Sequence, residues 1–372
     1  MTEPRPAVAA VRVTHPPPLR QDEMWRDFFA GHYAGVQRGL AQRIFANAGV
    51  VTRHGVVNPA LEDVSGWSTK ARMERYLVEA LPLGKEAAAG ALAAAGLDPT
   101  EVGLFAVCSC TGYATPGLDI LLARDLGMSV HTQRLFIGHM GCYAALPGLG
   151  VVTDFVAGRG RPALLLCVEL TTLHLQPPSR DPQQIVAHAL FSDAAAAVVV
   201  RPGRPDGAAG YVTGPDGAAG YVTGPDGAAG YTVREVTAVT DTSTADHMTW
   251  DVTDLGFRMG LSARVPDVLA EHVGPLVRDL LARHGLAVSD VDGWAVHPGG
   301  PKILDVVRDR LGLSEERIAP SRETLATHGN CSSPTVLMIL DTLWRSPTPP
   351  RRVVALAFGP GLTLYVALLS AG

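Results

Sequence analysis

Residues 96–108, GLDPTEVGLFAVC, align without a gap on residues 285–297, GLAVSDVDGWAVH. Gly, Leu, Val, Ala and Val coincide, and Thr/Ser, Glu/Asp and Phe/Trp are close substitutions. A second likeness joins ALFSDAAAAVVV (189–200) to LAFGPGLTLYVA (356–367), in both of which an aromatic residue and a turn lead into a strand. A chain that repeats itself at this distance is expected to fold as two related halves about a pseudo-dyad, because each copy must solve the same burial problem.

The apolar pattern says what each half contains. Runs suited to buried strands at 101–110, 162–170 and 194–200 alternate with helical stretches at 83–96 and 142–158. Strand-like runs at 291–298, 351–358 and 363–369, with a helical stretch at 266–284, repeat the arrangement. This predicts an α/β fold with halves at 1–204 and 231–372. Between them, PDGAAGYVTG occurs at 205–214 and 215–224, with a partial copy from Pro225. Its Pro-Asp-Gly turns and small residues read as a surface loop over 205–230 without chemistry.

With 47% hydrophobic residues in 372, the chain can bury a large core. A net charge of -5 leaves no basic field of the kind nucleic-acid binding requires. No uninterrupted apolar run reaches the ~18 residues of a membrane span, and the N-terminus lacks a secretory h-region, so a cytoplasmic location is expected. The five cysteines are odd in number and are expected to be free thiols. Cys108 and Cys110 share a strand but have no second pair at metal-binding spacing, so no metal site is expected.

Three residues carry the chemistry. Cys142 lies in GHMGCYAALPG and precedes a stretch with apolar residues at helical spacing. That places its thiol at a helix N-terminus, where the dipole favours a thiolate and an imidazolium would favour it further. His297 ends a predicted strand and is followed by the rigid PGGP turn, which would hold the ring at the strand's C-terminal edge, where α/β sheets bind ligands. Asn330, in HGNCSSP, offers an amide donor. A thiol that can carry an acyl group, an imidazole that can hold a proton and an amide that can donate to an oxyanion are the parts of a thioester-condensing site.

GHMGCYAALPG, ALFSD, LGFRMGLSARVP, HPGGPKIL, HGNCSSP and AFGPGLT, in this order, resemble the chalcone-synthase-like type III polyketide synthases. The resemblance implies the thiolase fold, with duplicated αβαβα layers, a homodimer, and no cofactor beyond coenzyme A thioesters. It implies that Cys142 takes an acyl-CoA starter and that His297 and Asn330 assist decarboxylation of malonyl-CoA or methylmalonyl-CoA. Phe191 and Phe257 match the family's gatekeeper aromatics at the mouth. Cys110, Thr111, Thr115, His174, Met248 and Ser332 match positions that line its product cavity. Arg53 and Lys302 match basic groups for the phosphates of coenzyme A. His139 and His328, beside the Cys142 and Asn330 motifs, are expected to support the site or the core. The expected product is a pyrone or a resorcinol-type aromatic, with an aliphatic starter favoured. A single-condensation ketoacyl synthase III with an acyl carrier protein partner, or a noncatalytic thiolase-fold subunit, are the alternatives.

Overall fold

The computed structural model describes residues 6–35, 37–203 and 230–371. The repeat read at 205–230 lies outside the described residues apart from Gly230. Nine strands form the main sheet: β1 Ala7–Thr14, β2 Leu104–Cys108, β3 Gln133–Ile137, β4 Ala163–Leu170, β5 Asp193–Arg201, β6 Tyr231–Thr240, β7 Gly293–Val296, β8 Arg352–Gly359 and β9 Thr363–Ala371. Their spatial order is β7-β8-β9-β6-β1-β5-β4-β2-β3.

Pairing directions reveal the duplication. From β1 outward the sheet runs antiparallel to β5, antiparallel to β4, then parallel to β2. From β6 outward it runs antiparallel to β9, antiparallel to β8, then parallel to β7. Among the described residues the two sets are joined by the single pair Ala7↔Thr232, so they behave as two sheets sharing a corner. Only the first set is extended further, by β3 parallel to β2.

The aligned segments occupy equivalent places. Phe105 and Val107 on β2, and Trp294 and Val296 on β7, face the outer layers, whereas Ala106 and Ala295 face the middle. Even the turn chemistry repeats: Asp98 N–H donates to Glu101 Oε2 (2.9 Å) and Ala287 N–H to Asp290 Oδ2 (2.8 Å). The second likeness holds for the strands β5 and β9 but not for the aromatics. Phe191 follows a helix, whereas Phe358 lies inside β8.

Seven helices matter here: α1 Thr69–Ala94, α2 Ala145–Arg159, α3 Pro182–Leu190, α4 Val265–Arg283, α5 Pro301–Leu311, α6 Glu315–His328 and α7 Pro334–Trp344. Helix α1 covers the first sheet and α4 the second, while α2 and α7 share a core with strands of both sheets. The result is the αβαβα layering. The stretch 141–159 is apolar enough to cross a membrane by composition, yet 61% of it is buried as the middle layer.

Helix α1 begins fourteen residues before the expected start at 83, because Pro82 sits inside it and obscured the earlier turns. Strands β1, β3 and β6 were not anticipated; QRLFI of β3 is an exposed edge with no clean alternation. The other strand limits fall within three residues of the expected ones.

Close approach of α1 to the sheet depends on small residues. A Cβ on Gly84 would lie 3.2 Å from side-chain carbons of Leu122, Leu166 and Val168. Gly84→Val is therefore expected to lower unfolding free energy by about 1–3 kcal/mol through overpacking. By contrast Gly158→Ala, on exposed α2 backbone with nothing within 4 Å, should leave stability equal or raise it by up to ~1 kcal/mol. Chemical denaturation of both variants distinguishes a packing requirement from a mere helix-propensity effect.

Candidate active site

Cys142 is delivered by a turn that only certain residues can make. His139 and Gly141 have φ of 66° and 67°, and a Cβ on Gly141 would fall 2.7 Å from Pro360 Cδ. The thiol then sits in the short turn Gly141–Tyr143 that runs into α2. Among the described residues, the non-glycine positions with positive φ are His139, Ser332 and Leu362, one in each of the motifs GHMGC, GNCSSP and FGPGL. Such backbone is costly and persists where the surroundings over-determine it, as at a built site.

His297 follows β7, and its N–H donates to Leu356 O on β8 (2.8 Å). The ring is fully buried, edge-on to Phe358 at 5.7 Å, and neither of its nitrogens has a hydrogen-bond partner. An unpaired buried polar group costs about 1–3 kcal/mol, so this ring is held ready for something absent from the protein itself.

Asn330 lies just beyond the end of α6, where Gly329 takes a φ of 72°. Its N–H donates to Leu190 O (2.8 Å) and its carbonyl accepts from Ser192 N–H (2.9 Å). This bridge places Phe191 directly beside it, and thus ties a residue of the second half to the end of α3 in the first. The side-chain Oδ1 accepts from Ser332 N–H (2.8 Å), which fixes the carboxamide and leaves its NH2 end without a protein partner among the described residues.

All four residues line one cavity. It holds about 610 Å³ and is walled by Ile44, Val186, Met248, Met259, Leu261 and Ile303 among others, with Lys302 exposed along it. Beyond the thiol, a cul-de-sac of about 20 Å³ is formed by Cys110, Thr111, Cys142, Phe191, Trp250 and Ser332. A third space of about 50 Å³, reached past Trp250, contains His174 and Phe257, whose rings stack at 4.5 Å.

Burial dominates the electrostatics. It pushes the Cys142 thiol up to about 12, against a lowering hydrogen bond with Ser332. It likewise pushes the His297 imidazole down to about 3. Desolvation thus opposes both the thiolate that the helix dipole is expected to favour and an imidazolium beside it. Beneath the cul-de-sac, Glu169 is fully buried and raised to about 7 by burial, opposed by hydrogen bonds from Thr111 Oγ1 (2.8 Å), Cys110 N–H and Ser333 Oγ (2.8 Å).

Several expected residues lie elsewhere. Arg53 is buried, and it donates to Gln21 and to the carbonyls of His188, Ala189 and Phe191. Its fork is used on the carbonyls at the end of α3, so it is no phosphate ligand but a brace behind Phe191. Thr115 is on an exposed loop and lines none of the three spaces; His139 is exposed, not supporting the core. Phe257 borders the inner space rather than the mouth, and Met248 borders the large cavity. Glu169, Trp250 and Met259 were missed. For Glu169 a signal existed, a lone carboxylate in the apolar run ALLLCVEL; for Trp250, whose indole N–H donates to Cys110 O (2.9 Å), there was none.

Comparison with known proteins agrees with this geometry. Residues 47–204 match the description "Chalcone and stilbene synthases, N-terminal domain" and residues 236–371 the corresponding C-terminal domain. The chain is 35% identical over 342 residues to a 1,3,6,8-tetrahydroxynaphthalene synthase of Streptomyces peucetius subsp. caesius, covering 90% of this chain and 84% of that one. It is 31% identical over 337 residues to the alpha-pyrone synthesis polyketide synthase-like Pks18 of Mycobacterium tuberculosis, covering 88% and 81%. Among solved structures, PKS-I from the brown alga Ectocarpus siliculosus superposes over 100% of both chains with a TM-score of 0.89 and 25% identity. The tetrahydroxynaphthalene synthase of Streptomyces coelicolor A3(2) covers 98% of this chain and 99% of its own, with a TM-score of 0.86 and 27% identity.

Glu169 gives the site a pH signature. A carboxyl raised on folding stabilises the protein while protonated, fully so below about 4.5, and that contribution is lost as pH rises through about 7. The stability of the wild type relative to Glu169→Gln should therefore fall across this window, by an amount on the order of 3 kcal/mol. Denaturation curves of both proteins at a series of pH values check it; parallel pH profiles would contradict it.

Proposed function

The chain belongs to the chalcone and stilbene synthase family and is a type III polyketide synthase, and from that premise we propose how its residues divide the work. The observation that carries the proposal is that the His297 ring, whose nitrogens have no hydrogen-bond partner among the described residues, lines one cavity with the Asn330 side chain and the Cys142 thiol. In loading, Cys142 Sγ attacks the acyl-CoA carbonyl. The His297 imidazole takes the thiol proton and returns it to the departing coenzyme A sulfur. In extension, malonyl-CoA loses carbon dioxide and the electron pair becomes an enolate. The His297 N–H and the Asn330 amide donate to its oxygen, and the carbon attacks the acyl-Cys142 carbonyl, expelling the sulfur. The bond changes balance with the two thioesters alone, so no further cofactor is required.

The aliphatic wall of the large cavity supports a fatty or other aliphatic starter, and malonyl-CoA rather than a branched extender suits the narrow space around the thiol. The cul-de-sac of about 20 Å³ closed by Trp250 favours few extensions, and hence release as a pyrone over a fused aromatic. Lys302, exposed beside the cavity, is the remaining candidate for a coenzyme A phosphate. The unpaired outer edge of β3, with Leu135 and Phe136 exposed, suits pairing with a second copy as a homodimer. Free thiols throughout the described residues fit a cytoplasmic setting.

Cys142→Ala should abolish acyl loading while leaving the fold intact, as read by mass spectrometry of the intact protein after incubation with acyl-CoAs. Asn330→Ala should slow malonyl-CoA decarboxylation by about 10²–10³ with loading largely preserved; equal loss of both would refute the division of roles. An absolute requirement for a carrier protein would favour the single-condensation alternative. Trp250→Ala joins the cul-de-sac to the inner space, and its products should contain more extender units than those of the wild type when both are profiled by mass spectrometry.

A further inference from the structure

Outside the catalytic cavities, three histidines from distant parts of the chain meet. His15 follows β1, His54 ends the short strand Thr52–His54, and His328 is the last residue of α6. One nitrogen from each lies within 4.8 Å of the others, and their ring centroids are 4.4, 4.5 and 5.2 Å apart. None of them lines the spaces around Cys142.

The cluster has the properties of a ligand set. His54 Nδ1 faces Pro16 O at 2.9 Å, and since a carbonyl can only accept, the proton is on Nδ1 and the Nε2 lone pair accepts from His328 Nδ1–H. That Nε2 lies 3.2 Å from His328 Nδ1. Two nitrogens bound to one tetrahedral zinc, at ~2.0–2.1 Å each, stand about 3.3 Å apart. His15 Nε2 is buried without a hydrogen-bond partner, an orphan that the rest of the fold leaves unexplained. Burial holds His15 near 3 and His328 near 4, so the rings are neutral and able to coordinate at neutral pH. All three side chains remain partly accessible, so an ion and a completing water can reach them.

We propose that His15, His54 and His328 form a binding site for a divalent transition ion of zinc type, with one nitrogen from each ring and a solvent-filled fourth position. Coordination through His328 Nδ1 moves that ring's proton to Nε2, replaces the His328–His54 hydrogen bond and requires the His15 ring to turn from its stack on His328 (interplanar angle 13°); no covalent heavy-atom bond changes. The second half of the chain would then be tied to the first at a point two residues before Asn330, where His54 is also held through its N–H and carbonyl by Ser192 Oγ (2.8 and 3.1 Å). The site would be structural, because it has no opening into the catalytic cavity.

The full-length protein, stripped with a chelator, is titrated with Co²⁺ and then Zn²⁺. One equivalent of Co²⁺ should give a tetrahedral d–d spectrum that Zn²⁺ displaces, and Zn²⁺ should raise Tm. His15→Ala should weaken binding at least ~100-fold and lose the Tm rise, with acyl loading on Cys142 unchanged. Cys142→Ser should keep the spectrum, which separates this site from adventitious capture by the catalytic thiol. Uptake that survives His15→Ala, uptake that is lost in Cys142→Ser, or no stoichiometric uptake would each overturn the proposal.

Discussion

Two backbone hydrogen bonds, Asn330 N–H to Leu190 O and Ser192 N–H to Asn330 O, hold Asn330 and Phe191 side by side. They matter because the site is divided between two halves that share, among the described residues, only one pair of sheet residues, Ala7↔Thr232. The bridge fixes Asn330 locally to the end of α3, and it is braced from behind: Arg53 donates to Gln21 Oε1, and both side chains donate to the last carbonyls of α3. Losing this brace would leave several buried carbonyls unpaired, so the geometry of Phe191 is maintained by hydrogen-bond satisfaction as much as by packing.

The same burial that makes the site rigid also opposes charge within it. Burial of a thiol and an imidazole in a low-dielectric wall works against the charged form of each. His297 keeps two nitrogens unsatisfied among the described residues. Glu169 is the opposite case: a buried carboxyl satisfied from three directions, anchoring the backbone at Cys110 and the Ser333 end of the Asn330 turn to the end of β4.

Much of this was legible in the chain. The gapless match of 96–108 with 285–297 foretold two equivalent strands with equivalent faces, since side-chain direction follows from period two alone. Cys142, His297 and Asn330 stood out because glycine- and proline-rich turns surround each of them. What escaped depends on contacts. Arg53 and His54 are neighbours on one strand, yet alternation turns one guanidinium onto α3 and the other side chain toward His15 and His328. Trp250 lies on a polar-looking hairpin and becomes a cavity wall only through its contact with Cys110. Strand β3 has no burial pattern because one edge of it faces solvent.

The sequence by itself determined the two related α/β halves and the family, and singled out Cys142, His297 and Asn330 as candidates, because the halves follow from periodicity and the rest from residue types set in unusual turns. Only the tertiary structure decided the burial of Cys142 and His297 that opposes their charged forms, the use of Arg53 as a brace, and how little room lies behind the thiol. Each of those is a sum over neighbours brought together from both halves, and desolvation and cavity volume exist only once that packing is complete.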